Sequence, residues 1–191
     1  MAIVVVGGNS RGVGKTALVC GLIAALPEFR WTAVKIATHD HGHPEPIWEE
    51  TEPGQGTGTA RYLAAGAERA LLATPPLRDR SPVRAFPPLL SALWPKLGLD
   101  ANVLFESNRI VQYVKPDLCL IVHGGLDHGS RKASFSLAAR HADAMVARAD
   151  ADRMLQGGEE AKPIFHLAAL ERISPEMQAW LRLMLRSNLR P

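Results

Sequence analysis

Cysteine is scarce in this chain. There are two in 191 residues, Cys20 and Cys119, and both fall in apolar stretches, so they are expected to be small buried hydrophobes. No apolar run approaches the ~18 residues that a membrane-spanning helix needs. No basic segment precedes an apolar one at the amino end, so a signal peptide is not expected and a cytoplasmic location is. Surplus charge is small, a formal +3. That is too weak to argue for nucleic acid, and it suits a protein that handles phosphate-rich small molecules or acidic partners. No internal repeat is visible, and no break in pattern marks a second domain. What remains, 47% hydrophobic and 21% charged residues, fits one globular domain over residues 1–191 with a sizeable core.

The most informative stretch is residues 3–26, IVVVGGNSRGVGKTALVCGLIAAL. Four β-favouring apolar residues lead into a glycine-rich turn. The turn leads into a helix whose apolar face carries Leu18, Leu22, Ile23 and Leu26. Strand, glycine-rich turn, Gly-Lys-Thr and helix together make the phosphate-binding loop of P-loop nucleotidases. Glycines let backbone N–H groups curl around phosphate oxygens, and the helix N-terminus adds unpaired donors and partial positive charge. The expected cradle is Asn9, Ser10, Arg11, Gly12, Val13, Gly14, Lys15, Thr16 and Ala17. Lys15 is expected to reach the β- and γ-phosphates as a catalytic group, and the Thr16 hydroxyl to ligate Mg²⁺. The usual G-x-x-x-x-G-K-[ST] pattern has glycine where this chain has Asn9. Asparagine tolerates left-handed backbone angles better than most residues, which is how the loop is expected to absorb it.

Apolar runs and helical segments alternate along the rest of the chain. Strands are expected at 31–38, 68–74, 101–105, 118–122, 144–147 and 163–167. Helices are expected at 58–65, 89–97, 108–115 and 134–141. A C-terminal helix opens with Ser174 as cap and Pro175 at its first position. Residues 45–59, with Glu45, Glu49, Glu50 and Glu52, read as a long acidic loop. The strands are continuously apolar instead of alternating, which predicts an α/β protein of three layers: a mostly parallel sheet with helices on both faces, the P-loop NTPase fold. Ligands in such sheets bind at the carboxyl ends of the strands. That rule places the phosphate loop, residues 39–43, Glu106 and residues 123–128 on one rim.

A triphosphate arrives as its Mg²⁺ complex, so a carboxylate is needed near Thr16. Two expected strands end in acids, at Asp40 and Glu106. Glu106 follows the short apolar run VLF and is taken as the metal-site carboxylate; Asp40 is expected to order the attacking water or the metal shell. His39, His41 and His43 alternate, and in an extended segment they point one way. They can converge on Zn²⁺, Ni²⁺ or Cu²⁺, or simply decorate a polar loop. Guanine-specific P-loop proteins often carry N-K-x-D after a late strand. Here the stretch reads Ala147-Arg148-Ala149-Asp150, which keeps the acid, and an arginine stem can stack on a base.

Three further pieces carry a family resemblance: AVKIATHDHGH, TARYLAAGAERALLAT and LLSALWPKLGLDANVLFE, all in order after the phosphate loop. With that loop they resemble the molybdopterin-guanine dinucleotide biosynthesis protein B family over about the first 106 residues. The last piece is similar to the segment leading to the family's Val-Glu-Gly, with Glu106 at its glutamate and Ser107-Asn108 where the glycine would follow. The resemblance implies a dimeric, GTP-binding (or ATP-binding), slowly hydrolysing accessory protein of molybdenum-cofactor maturation that acts with a partner enzyme. Two other uses of the same loop stay open. One is a small-molecule kinase with Arg78, Arg80 and Arg84 as a lid; the other is a metal-delivery NTPase using the histidine loop.

Overall fold

The computed structural model describes residues 1–37, 45–75, 82–98, 100–124, 133–149 and 162–188. The first strand, β1 (Ile3–Gly8), and first helix, α1 (Lys15–Ala25), flank the phosphate loop as the motif requires. They are followed by β2 (Thr32–Ile36), β3 (Ile47–Glu50), α2 (Gly58–Ala64), β4 (Arg69–Ala73), α3 (Pro82–Leu97) and β5 (Val103–Glu106). The chain closes with β6 (Leu118–His123), α4 (Ala133–Arg140), β7 (Ala144–Arg148), β8 (Ile164–Leu167) and α5 (Pro175–Asn188). These strands form one sheet in the order β3-β4-β2-β5-β1-β6-β7-β8. Every described pairing is parallel except β3 on β4.

The sheet is buried on both faces because its strands are apolar at consecutive positions. Val4 and Val6 point into one layer, with Leu18 and Leu22 of α1, Tyr62 of α2 and Met177 and Leu181 of α5. Val5 points into the other, with Phe86, Leu89 and Leu93 of α3 and Phe135 and Ala138 of α4. These are the three layers expected from the sequence. Ser174 caps α5 by accepting the Met177 N–H at 3.2 Å, as its position before Pro175 predicts. Among the described residues no helix is long and apolar enough to cross a membrane.

Three elements differ from expectation. The acidic stretch contains an edge strand, β3, antiparallel to β4: Ile47 is buried against the core while Trp48 and Glu49 face outward. Helix α3 starts at Pro82, seven residues earlier than expected, and carries Pro87 and Pro88 inside it. Ala85, Phe86, Leu89, Leu90, Leu93 and Leu97 are all buried. Their helical spacing supplies a core face that overrides the low propensity of proline. The helix expected over 108–115 shrinks to a single 3₁₀ turn, Ile110–Gln112. Pro116 forbids continuation, and the Asn108 side chain is committed elsewhere.

Candidate functional site

Parallel register brings the carboxyl ends of the central strands to one rim. Val6 lies opposite Glu106 on β5 and Leu120 on β6. Beyond Gly8 the chain leaves the sheet as the phosphate loop. Gly12 and Gly14 adopt left-handed φ of 76° and 103°. Gly14 has a second reason to lack a side chain: a Cβ there would lie 2.2 Å from Leu170 Cδ1. Helix α1 begins directly after Gly14, with no side-chain cap and no acid in its first turn. Its opening N–H donors are therefore left to an anion. Lys15 bends back over the loop, and its Nζ donates to the Ser10 carbonyl at 2.9 Å.

Asn9 does not take the left-handed conformation that its replacement of glycine suggests; Arg30 is the one non-glycine among the described residues with positive φ. It acts as a tie instead. Its N–H donates to the Val122 carbonyl at 3.3 Å, and its Oδ1 accepts from the Gly124 N–H at 3.3 Å. The loop is thereby pinned to the end of β6. A second asparagine pins the start of the loop. Asn108 Oδ1 accepts the Gly8 N–H at 2.8 Å, and its Nδ2 donates to the Gly8 carbonyl at 2.9 Å. Both polar groups of one backbone residue are satisfied by one side-chain amide, which fixes where the strand ends and the loop starts.

Beside the loop lies a buried ionic cluster. Glu106, at the tip of β5, is 8% exposed. Its Oε2 accepts from Thr16 Oγ1 at 2.7 Å and from the Tyr62 hydroxyl. Lys35 of β2 sits opposite Glu106 in the parallel register. Its Nζ donates to Glu106 Oε1 at 3.0 Å, to Oε2 at 3.2 Å and to Thr16 Oγ1 at 3.0 Å. Burial pushes the Glu106 carboxyl up, but the Lys35 charge and the bonds from Tyr62, Thr16 and Lys35 outweigh it and hold the group below the usual carboxylate range. Tyr62 is pushed well above its ordinary value by burial and by the neighbouring carboxylate. Glu106 is thus an ionised carboxylate that accepts from three donors, all three of them on Oε2 and Lys35 also on Oε1.

The other side of the loop opens into a cleft of about 350 Å³ lined by Gly12, Val13, Gly14, Arg148, Leu170 and Glu171, among others. Sequence reasoning placed Arg148 near a base but passed over Glu171, because nothing in the sequence said that the segment after β8 returns to the loop. Lys35, Tyr62 and Asn108 were also passed over as site residues. A signal existed for Lys35: it is a lone charge in the apolar strand TAVKI, and a charge in a buried strand needs a partner. Asp40, the histidines at 39, 41 and 43, and Asp150 lie outside the described residues, as do Arg78 and Arg80. Arg84 is exposed on α3, in the layer across the sheet from α1. Among the described residues no group of three His, Cys, Asp or Glu side chains could hold a metal. Burial raises both thiols, Cys119 to about 12, so neither is a ready thiolate.

No family profile matches this sequence, and no curated protein does. Solved structures do match in fold. HypB from Helicobacter pylori, solved in complex with nickel, is 15% identical over 100% of this chain and 90% of its own, with a TM-score of 0.53. LpxK from Aquifex aeolicus, solved in complex with ATP, is 18% identical over 86% of this chain, with a TM-score of 0.52. The fold is that of P-loop NTPases. The chain spans about half of LpxK, 53% of its length. MobB from Bacillus subtilis, of the molybdopterin-guanine dinucleotide biosynthesis protein B family, is also among the structures it is similar to. It is 18% identical over 97% of this chain and 98% of its own, at a TM-score of 0.44. At such identities the likeness concerns the fold and leaves the chemistry to this chain's own residues.

Proposed function

We propose that this chain binds the Mg²⁺ complex of a nucleoside triphosphate, GTP in preference to ATP, and hydrolyses it slowly in the service of molybdenum-cofactor maturation. The observation that carries the reading is the contact between the phosphate-loop hydroxyl and the strand-end acid, Thr16 Oγ1 to Glu106 Oε2 at 2.7 Å, next to a glycine cradle with uncapped helix donors. The donor set fits Mg²⁺, which takes hard oxygen ligands, few of them from protein, and keeps several waters. In this reading Thr16 and Glu106 hold the metal, and residues 12–16 offer backbone N–H groups to the phosphates. Lys15 swings from the Ser10 carbonyl to the β- and γ-phosphates. Mg²⁺ supplies charge neutralisation at the phosphate oxygens.

Slow turnover follows from the same cluster. In this reading Glu106 is committed to the metal and to its contacts with Thr16 and Tyr62, and is not the group that activates a water. Asp40 is assigned to ordering that water. The guanine preference rests on two carboxylates: Glu171, which lines the cleft, and Asp150, the acid that the sequence keeps two positions after Arg148; a carboxylate can accept from guanine N1 and N2. Arg148 offers its stem for stacking. The maturation role, the partner enzyme, the homodimer and the single-domain organisation over 1–191 come from the family resemblance and the sequence pattern. The kinase and metal-delivery readings depend on Arg78, Arg80 and the three histidines, and no described contact favours either.

Calorimetric titration with GTP, ATP and molybdopterin in the presence of Mg²⁺ tests the reading. GTP is expected to bind at least about tenfold more tightly than ATP, a difference of ~1.4 kcal/mol. Equal affinities, or a preference for ATP, would remove the guanine assignment. Molybdopterin bound alongside GTP supports the maturation role; its failure to bind removes the direct part of that role.

A further inference from the structure

Lys35 has no role in the chemistry assigned so far, yet it touches all three side-chain oxygens of Thr16 and Glu106. Its Nζ lies 3.0 Å from Thr16 Oγ1, 3.0 Å from Glu106 Oε1 and 3.2 Å from Glu106 Oε2. An ammonium is a compact cation with three donors. Here those donors meet the oxygens that a divalent cation would need. The Thr16 hydroxyl makes the conflict specific. It gives its proton to Glu106 and accepts from Lys35, so a lone pair needed for a metal is turned toward the ammonium.

The position of Lys35 is built, not incidental. Parallel pairing puts it beside Glu106. Its stem is pressed against Gly58 at the start of α2: a Cβ on Gly58 would lie 2.9 Å from Lys35 Nζ, 3.1 Å from Cδ and 3.3 Å from Cε. The same helix supplies Tyr62 to the same carboxylate. The side chain nevertheless keeps 26% of its surface exposed, against 9% for Glu106, so Lys35 is the partner of the pair that borders solvent.

We infer that Lys35 is a tethered cation occupying the divalent-cation position on Thr16 and Glu106, and that a divalent cation enters only by displacing it. The inference rests on the reading of those two residues as the metal ligands. Two cations cannot share the site, because like charges a few ångströms apart in a poorly solvated pocket repel strongly. Without nucleotide, Lys35 neutralises Glu106 and keeps divalent cations out. A triphosphate brings anionic oxygens that accept the released ammonium, so the site takes its metal together with phosphate and not before it.

The test uses Mn²⁺ alone, without nucleotide, and counts bound metal by loss of the free-ion paramagnetic resonance signal. Wild type is expected to bind Mn²⁺ weakly and Lys35→Met at least about tenfold more tightly, since the competing charge is gone. Gly58→Ala is the second variant. It keeps the lysine but pushes a methyl into its stem, and is expected to tighten Mn²⁺ binding by a smaller factor, about threefold. It carries the test alone if Lys35→Met does not fold. Adding Glu106→Gln to either variant is expected to abolish the gain. Equal Mn²⁺ binding by wild type and both single variants, including none by any of them, would overturn the inference. Because no nucleotide is present, that result leaves the outcome of the GTP and ATP titrations untouched.

Discussion

The two halves of the candidate site are made from different materials. The phosphate half is backbone: left-handed glycines at 12 and 14, uncapped helix donors, and one lysine resting on a carbonyl. The cation half is side chain: Thr16, Lys35, Tyr62 and Glu106, drawn from α1, β2, α2 and β5 and locked in one hydrogen-bonded cluster. Backbone donors do not depend on the identity of neighbouring side chains. The phosphate half therefore accommodates Asn9 in place of glycine, with the asparagine used to tie the loop to β6. The cation half has no such tolerance. Each member satisfies another that burial would otherwise make costly, so removing one exposes the rest.

Breaking the cation half should cost the most stability. Glu106→Ala leaves the Lys35 ammonium and the Tyr62 hydroxyl without their partner, and the expected loss is about 3 kcal/mol, measured by urea denaturation. A loss under about 1 kcal/mol would mean that the cluster is wet and loosely held, erasing the contrast. A smaller effect is expected where a side chain supports the backbone half. Asn108→Ala strips both hydrogen bonds from Gly8, and the expected loss in the same assay is about 2 kcal/mol. If Asn108→Ala proves costlier than Glu106→Ala, the backbone half is the more dependent on side chains and the comparison reverses.

The same division explains what the sequence made legible. The phosphate half is contiguous, so its spacing announces it. The alternation of apolar strands and helices announces the layers in the same way. Glu106 was legible because it ends an apolar strand. Tyr62 and Asn108 were not, and the lone charge of Lys35 did not name its partner, because these contacts form only once sheet order puts β2 and β5 side by side and β1 next to β5. Glu171 was hidden for a related reason: the segment after β8 crosses back to the loop, where Leu170 packs on Gly14. Strand β3 was missed because only Ile47 of its four residues is buried, so the stretch reads as polar loop. Helix α3 was cut short because proline outweighed a periodicity that its buried residues obey.

The central claim is that residues 12–16 with Lys15 hold a nucleoside triphosphate. Calorimetric titration of GTP and ATP with Mg²⁺ into wild type and Lys15→Ala tests it most directly. Wild type is expected to bind, and the variant to bind at least about a hundredfold more weakly, a loss of ~2.7 kcal/mol, while its urea midpoint stays put. Equal affinity for the two proteins, or no binding of either nucleotide by wild type, would contradict the claim.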